Sequence, residues 1–414
     1  MGIEMAKKQV IIIGGGASGL LAAITAARTG AKVTILEHLN KPGKKILATG
    51  NGKCNLTNLN QDECHYRGNN PSFANSALQQ FAVPDTLRFF TTLGIYTKNK
   101  NGYIYPHSEQ AASVLEVLLA ECEHLKIVIK GQEHIKSVKK PDCLFHVKTD
   151  TWTYKSDSLI IATGSKAAPA FGSDGSGYHL SASFGHTIIP PLQALVPLKP
   201  KESCYTRLAG IRADVKLSLY MNEKLHSTEE GELQISAFGV SGIPTFQLSR
   251  FAVKALKDKE RVVIIIDFAK KFTQAALAAY IRTRIEHTPY KRAEQLFTGF
   301  INSKLSEVIL IESGISPQKG VQDLKTEEIL TIAKLLKAFP ATIIDSHTFE
   351  QAQVCQGGVD TTEISAHTME SKIVEGLYFA GEVIDIDGAC GGYNLQWAWS
   401  SGYVAGKNAG TKEG

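Results

Sequence analysis

Residues Gly14-Gly15-Gly16-Ala17-Ser18-Gly19 place glycines at the first, third and sixth positions of a turn that follows the β-branched run Val10–Ile13. The first glycine permits the tight turn, the second lets the backbone approach a pyrophosphate, and the third lets helix and strand pack closely. N–H groups at the start of the next helix then face the phosphates. Glu37 ends the following strand, about 20 residues on, where a carboxylate accepts from ribose hydroxyls. Its charge repels a ribose 2′-phosphate, so NADP is disfavoured here. Gly14, Gly16, Ala17, Ser18, Gly19 and Glu37 are therefore candidate dinucleotide ligands.

Two distant segments distinguish a flavin from a nicotinamide. Leu159-Ile160-Ile161-Ala162-Thr163-Gly164-Ser165 is a strand ending in Ala-Thr-Gly, a pattern of flavoproteins near the adenosine end of FAD. Leu377 to Asp385 is a strand followed by Gly381 and Glu382, where flavoproteins place ribityl and pyrophosphate contacts. A nicotinamide dehydrogenase does not need that late segment, so FAD is the better reading. Between these segments, "ATGNGKCNLTN" (Ala48 to Asn58) is polar, glycine-rich and carries one cysteine. By itself it reads equally as a phosphate cradle, a thiol site, half of a metal site or a surface loop. Gly172-Ser173-Asp174-Gly175-Ser176-Gly177 also suits phosphate, but no clear β-α-β unit surrounds it, so no second dinucleotide site is assigned.

The elements that must position these groups are a strand at Val10–Ile13, a helix at Ala17–Thr29 and a strand at Lys32–Glu37, a β-α-β unit that implies a parallel sheet. Helices are expected at Leu87–Leu93 and Gln110–His124, and strands at Ile127–Ile129, Phe145–Thr149, Trp152–Tyr154 and Leu159–Ala162. Prolines 190, 191, 197 and 200 then punctuate the chain, followed by alternating segments such as Val215–Tyr220. The fold class is thus α/β: a Rossmann-like domain assembled from residues 1–192 and 341–414, with an inserted domain at 193–340, β-rich over 193–270 and mainly helical over 271–340. Ala341–Ile344, Val354–Asp360 and Leu377–Gly381 are expected to complete the first domain.

The 414 residues, 43% of them apolar and 21% charged, describe a folded chain of two or three domains. A net charge of +5 is scattered, which permits an anionic substrate or RNA contact without the concentrated stripe of a nucleic-acid binder. Seven widely spaced cysteines without a C-x-x-C pair argue against a disulfide framework and for a reducing cytoplasm. The apolar run Val10–Ala27 is broken by three glycines and is read as strand, turn and helix, so neither a targeting segment nor a membrane anchor is expected. Met5 begins a second plausible start, leaving residues 1–4 as a leader without function.

Taken together, "KILATGNGKCNLTN", "LIIATGS", "GELQISAFGVSGIP", "QVCQGGVDTTEI" and "SKIVEGLYFAGEVIDIDGACGGYNLQWAWSSG" resemble the bacterial YhiN/BaiN-like FAD-dependent flavoproteins across Val10 to Gly406. The resemblance implies FAD held by the first glycine loop, by Glu37, and by the loop carrying Lys45, Thr49, Gly50, Gly52 and Cys54. It further implies that Gly381, Glu382, Asp385, Gly391, Gly392, Tyr393, Asn394 and Leu395 run along the pyrophosphate, ribityl chain and flavin. Ala237 and Cys390 depart from the family pattern, which carries polar or acidic residues at the first position and Thr or Ser at the second. The implied activity is an NAD(P)/FAD-dependent oxidoreductase. Named possibilities are an aminoacetone-oxidase-like reaction, reduction of a C=C bond in bile-acid metabolism, or reduction of uridine to dihydrouridine in 23S ribosomal RNA. The last two are one class of reaction, hydride addition from flavin N5 to an activated double bond. An amine oxidase and a non-catalytic FAD-binding interaction protein are the alternatives, and NADH or NADPH is the expected electron donor.

Because the flavin carries the redox chemistry, the protein need supply only orientation, donors to the ring and one acid. Cys54, beside Lys53 in a glycine-rich loop, is a candidate thiolate. Tyr393 and Asn394 are candidate donors to the ring or substrate; Asn394 reads equally as a residue that closes a tight turn. His107 is a weaker candidate acid, and Trp397 and Trp399 are read as core. A metal site from Cys54, Cys64 and His65 lacks a fourth ligand and zinc-like spacing, so no metal is assigned. The substrate partner is a small molecule or ribosomal RNA.

Overall fold

A computed structural model describes residues 7–411, so the alternative start at Met5 lies outside it. The chain divides into two compact units, residues Met1–Leu192 with Gln353–Gly414, and residues Gln193–Ala352.

The run Val10–Ile13 lies at the centre of a five-stranded parallel sheet with the order Leu377–Phe379, Ser158–Ile161, Gln9–Ile13, Lys32–Leu36, Val128–Lys130. Ile12 pairs with Ile160 on one side and Ile35 on the other, and Ile160 pairs in turn with Tyr378. Ile12, Ile35, Ile160 and Phe379 are all fully buried, which is why these strands read as unbroken apolar runs: both faces of the sheet are covered. The sheet therefore joins strands from both ends of the chain.

One cover is a helix pair, Ala17–Arg28 and the C-terminal Tyr393–Gly410. Their backbones approach so closely that a Cβ added at Gly402 would lie 2.5 Å from the Ser18 carbonyl oxygen, and one at Gly406 would lie 2.3 Å from that of Ala22. At Gly410 it would lie 2.3 Å from the Thr29 hydroxyl. Glycines four apart thus line one face of the last helix and admit the first helix into contact. Smaller pieces complete this unit: an antiparallel sheet of Ile135–Lys139, Phe145–Thr149 and Thr153–Ser156, and another of Thr57–Asn58, Tyr103–Pro106 and Thr97–Lys100.

The second unit is built on a closed six-stranded barrel. Val215, Leu217 and Leu219 point inward from Arg212–Met221, as do Val262, Ile264 and Ile266 from Val262–Asp267. Helices Gln274–His287, Ser303–Glu312 and Thr326–Lys337 follow within the 271–340 region. One boundary needs correction. Ala341–Ile344 does not rejoin the parallel sheet: Phe339–Ser346 closes the barrel, pairing with Val262–Asp267 and Leu198–Pro200. The unit consequently ends at Ala352, not at residue 340. Phe339, Ala341 and Ile343 are buried while Pro340 is exposed, the alternation of a half-buried strand rather than a doubly covered one.

Candidate cofactor and active site

The first glycine loop shows two kinds of glycine. Gly14 donates its N–H to the Leu36 carbonyl at 2.9 Å, has φ +102°, and a Cβ there would sit 2.5 Å from the Ala162 carbonyl oxygen. A Cβ at Gly19 would sit 2.0 Å from the Gly14 oxygen. Packing demands these two glycines. A Cβ at Gly16, by contrast, meets no atom within 4 Å. Gly16 is also the N-cap of the helix, with no side chain capping it. Room and uncapped N–H groups therefore coincide, as a diphosphate requires. Ala17, Ser18 and Gly19 form the first turn behind them.

Glu37 is nearly buried, its Oε2 accepting from the Gly15 N–H at 2.8 Å and its Oε1 from the Leu39 N–H at 2.9 Å. A carboxylate has about four acceptor positions. The two backbone bonds fix its orientation and leave lone pairs for ribose hydroxyls. On the other side of the loop, Ala162 donates its N–H to the Ile13 carbonyl at 2.9 Å, Thr163 Cα lies 3.0 Å from the Gly14 Cβ position, and Gly164 takes a left-handed turn at φ +75°. Open space at Gly16, free donors and a fixed acid fit the diphosphate and ribose of FAD.

The two ends of the chain meet at this loop. Ser18 Oγ donates to the Ala380 carbonyl at 3.3 Å, and Gly381, at φ +77°, would place a Cβ 2.5 Å from that same Oγ. The Gly381 N–H donates to Ser401 Oγ at 2.9 Å, while Trp397 Nε1 donates to the Gly381 carbonyl at 3.1 Å. Lys45 Nζ donates to Glu382 Oε2 at 2.8 Å, and Ser165 Oγ donates to the same oxygen at 3.0 Å. Asp385 turns inward, its Oδ2 accepting from the Asn69 N–H and its Oδ1 from the Gly357 N–H, both at 3.0 Å. It braces three loops, a structural task beside the ligand role expected of it.

Three residues near Glu382 were not singled out by sequence reasoning. Ser165 follows the Ala-Thr-Gly motif; Cys355 lies beside Ser165, and burial pushes its thiol up to about 11. Burial also raises the Tyr178 phenol, with Cys355, Glu382 and Asp385 adding to the effect, and its hydroxyl has no hydrogen-bond partner. Only their place inside "LIIATGS", "QVCQGG" and "GSDGSGY" signalled them.

In the Ala48–Asn58 loop the backbone is left-handed at Gly50 (φ +56°), Asn51 (+53°), Gly52 (+81°) and Cys54 (+56°). Such a run at non-glycine positions costs about 1–3 kcal/mol per residue and points to function. The Cys54 N–H donates to the Thr49 carbonyl at 3.0 Å, and Thr49 Oγ1 donates to Ile46 O at 2.6 Å. The expected Cys54 thiolate is corrected. Its side chain is fully buried, burial pushes its pKa up to about 12, and Lys53 turns away to Glu109 at 3.2 Å. Cys54 is a neutral packed thiol.

The turn before the C-terminal helix decides between the two readings of Asn394. Asn394 Nδ2 donates to the Gly388 carbonyl at 2.9 Å and the Ala389 carbonyl at 3.2 Å, while its Oδ1 accepts from the Gly388 N–H at 2.8 Å. Both side-chain amide hydrogens are committed to backbone, so the Asn394 side chain closes the turn and has no donor left for a flavin or substrate. Gly391 and Gly392 are left-handed, and a Cβ at either would strike Tyr103 Cε1 or the Thr57 carbonyl carbon, each at 2.6 Å. The Tyr393 ring stacks on His65 at 4.4 Å and meets Tyr66 edge-on at 6.0 Å. Burial pushes its phenol up to about 12. Leu395 packs partly buried against the core, and Trp397 and Trp399 are fully buried.

His107 is exposed, 5.4 Å from the Tyr96 ring. Gly175 caps the eight-residue helix Ser176–Ser183, and a Cβ at Gly177 would collide with Thr163 Oγ1 at 1.9 Å. Among the described residues, ligating atoms of Asp62, Cys64 and His65 lie within 4.8 Å of one another at the surface, without Cys54. No helix among the described residues is long and apolar enough to cross a membrane.

Known proteins resemble this chain along most of its length. The family model described as HI0933-like protein Rossmann domain matches residues 8–408. The chain is 42% identical over 400 residues to a 3-dehydro-bile acid delta(4,6)-reductase of Clostridium scindens, covering 96% of this chain and 98% of that one. It is 31% identical over 403 residues to a ribosomal RNA dihydrouridine synthase of Haemophilus influenzae, covering 95% and 96%. A flavocytochrome c3 fumarate reductase structure overlays with a TM-score of 0.48 at 16% identity, covering 98% of this chain and 78% of that one. The match along nearly the whole sequence, with the glycine loop and its acid in place, makes this chain a member of the HI0933-like family and an FAD-dependent oxidoreductase.

Proposed function

We propose that the protein reduces the C=C bond of a small conjugated carbonyl compound, with NADH or NADPH as electron donor. The observation that carries this is the 42% identity, over nearly the whole of both chains, to the bile-acid delta(4,6)-reductase. Bound FAD supplies the hydride, at N5 of its ring. Gly16 and the helix it caps hold the diphosphate, Glu37 holds the ribose, and the Lys45–Glu382–Ser165 network fixes the acidic residue after Gly381. Tyr393 stays a neutral phenol at physiological pH and is the proton donor of this reading, with His65 stacked on its ring to hold it. Seven cysteines, none of them in a disulfide, support a reducing, cytoplasmic setting.

A ribosomal uridine is the second reading. It is favoured by the 31% identical synthase and uses the same addition to a C=C bond. The test is anaerobic: reduce the FAD-loaded protein with NADH or NADPH, add a 3-oxo-Δ4 steroid, and follow flavin reoxidation together with the saturated product. Reoxidation by the enone supports the proposal. Reoxidation only by 23S rRNA that gains dihydrouridine, or only by oxygen with peroxide release once air is admitted, refutes it.

A further inference from the structure

One face of the three-stranded sheet Thr57–Asn58, Tyr103–Pro106, Thr97–Lys100 has no part in the cofactor site described above. Ile104 and Pro106 are buried on its inner face, while Tyr103 and Tyr105 are half-exposed on the other. Lys98 pairs directly with Tyr105 and Lys100 with Tyr103, which puts all four on one side. Lys53 reaches in from the Ala48–Asn58 loop. The three ammonium groups converge on one carboxylate, Glu109, from Lys98 at 2.6 Å, from Lys53 at 3.2 Å, and from Lys100 in direct contact. Lys100 also lies over the Tyr105 ring, 5.7 Å from its centroid.

This cluster carries more positive charge than Glu109 neutralises. Glu109 is held at φ +53°, and hydrogen bonds from Lys100, Lys98 and Lys53 lower its carboxyl to about 2. The face also adjoins the Gly391–Gly392 turn and the Ala48–Asn58 loop. A Cβ at Gly391 would touch Tyr103 Cε1 at 2.6 Å, one at Gly50 would touch Tyr105 Cε1 at 3.5 Å, and Asn58 Nδ2 donates to the Gly391 carbonyl at 3.0 Å.

We propose that this face binds the substrate's own anion: Lys98 and Lys100, helped by Lys53, take a carboxylate, and the Tyr103 and Tyr105 rings take the apolar body attached to it. Glu109 gathers the lysines when no substrate is present and competes for them when one is. The inference rests on the proposed enone reduction and adds the class of molecule, a small flat amphipathic carboxylic acid. A polynucleotide is the poorer fit, because it needs a basic track along the surface whereas this is one compact cluster.

The probes are 3-oxo-4-cholenoic acid and its methyl ester, titrated calorimetrically into FAD-loaded protein at low and high salt. The acid should bind more tightly than the ester, and added salt should shrink the difference. Lys98→Gln and Lys100→Gln should each cut the acid's advantage by about two- to fivefold, the double variant should abolish it, and Lys100→Arg should retain it. Glu109→Gln should increase it. Equal binding of acid and ester by the parent, or a preference that survives the double variant, overturns the proposal. So does a uridine-rich RNA oligonucleotide that binds through these lysines when the acid does not. Flavin absorbance and circular dichroism of each variant show that the site is intact. Acid bound in preference to ester, with neither reduced, would refute the enone reaction and leave this site standing.

Discussion

Replacing Gly406 by Ala sets two effects of known sign against each other. Alanine is the better helix former by about 0.8–1 kcal/mol, so an exposed glycine in the middle of Tyr393–Gly410 would gain stability on substitution. The new methyl, however, would lie 2.3 Å from the Ala22 carbonyl oxygen and 2.8 Å from its Cα. These are backbone atoms of a buried helix, so no side chain can swing aside and the two helices must separate. Overpacking of this kind costs about 1–3 kcal/mol, and the severity of the contact puts it in the upper half of that range. The expected net loss is about 1–2 kcal/mol, read as a lower urea midpoint of the FAD-free protein at unchanged slope. Gly402→Ala should lose a similar amount and also weaken FAD binding. Its methyl would press on the Ser18 carbonyl at 2.5 Å, within the first turn of the phosphate-binding helix. Gly410→Ala should be milder, since the Thr29 hydroxyl can rotate away and the remaining Ala26 backbone contacts, at 2.9 Å, are longer than the closest ones at Gly402 and Gly406. A Gly402 or Gly406 variant as stable as the parent would refute the close helix contact.

Glu37→Gln should weaken FAD binding by about 1.5–3 kcal/mol, the worth of a hydrogen bond to a charged acceptor, measured by quenching of free flavin fluorescence; unchanged affinity would remove Glu37 from the ribose site. Lys45→Met leaves Glu382 without its cation, at 16% side-chain exposure, and should cost about 1–3 kcal/mol of stability that Lys45→Arg largely restores, by urea unfolding. Burial raises Cys54 and Cys122 to about 12 and Cys355 and Cys390 to about 11, from an ordinary thiol value near 9. The folded state keeps these protons longer than the unfolded one. Their stabilisation is therefore complete below pH 9 and is lost as pH rises from 9 towards 12; stability flat across that window would contradict the burial. At pH 7.5 iodoacetamide should label exposed Cys64 and Cys143 and spare Cys54, and rapid Cys54 labelling in intact protein would restore it as a reactive thiol.

Local signals were read well and long-range pairings were not. Gly14, Gly16, Gly19 and Glu37 lie within a single β-α-β unit, where residue type and spacing determine geometry directly. The Lys45–Glu382 ion pair joins residues 337 positions apart, and no local pattern in either segment names the other. Ala341–Ile344 joins the barrel instead of the parallel sheet, and a short apolar strand does not state which sheet it joins; the exposed Pro340 between buried neighbours is the local clue. Cys54 misled for a related reason. Its neighbour Lys53 is visible in the sequence, whereas the burial that governs the thiol comes from packing. Asn394 had two readings of equal standing, and the carbonyls of Gly388 and Ala389 decided between them.

The meeting of Ser18 with Gly381, and of the first helix with the last, has a consequence for biosynthesis. The glycine loop leaves the ribosome before the barrel unit, but the helix that packs against it is translated only after the whole of that unit. Until then Ser18, Ala22 and Ala26, all buried in the finished protein against the glycines of that helix, lack their cover. A nascent chain should therefore capture flavin only once Tyr393–Gly410 has emerged, and ribosome-stalled chains ending before Tyr393 should be colourless and dependent on chaperones.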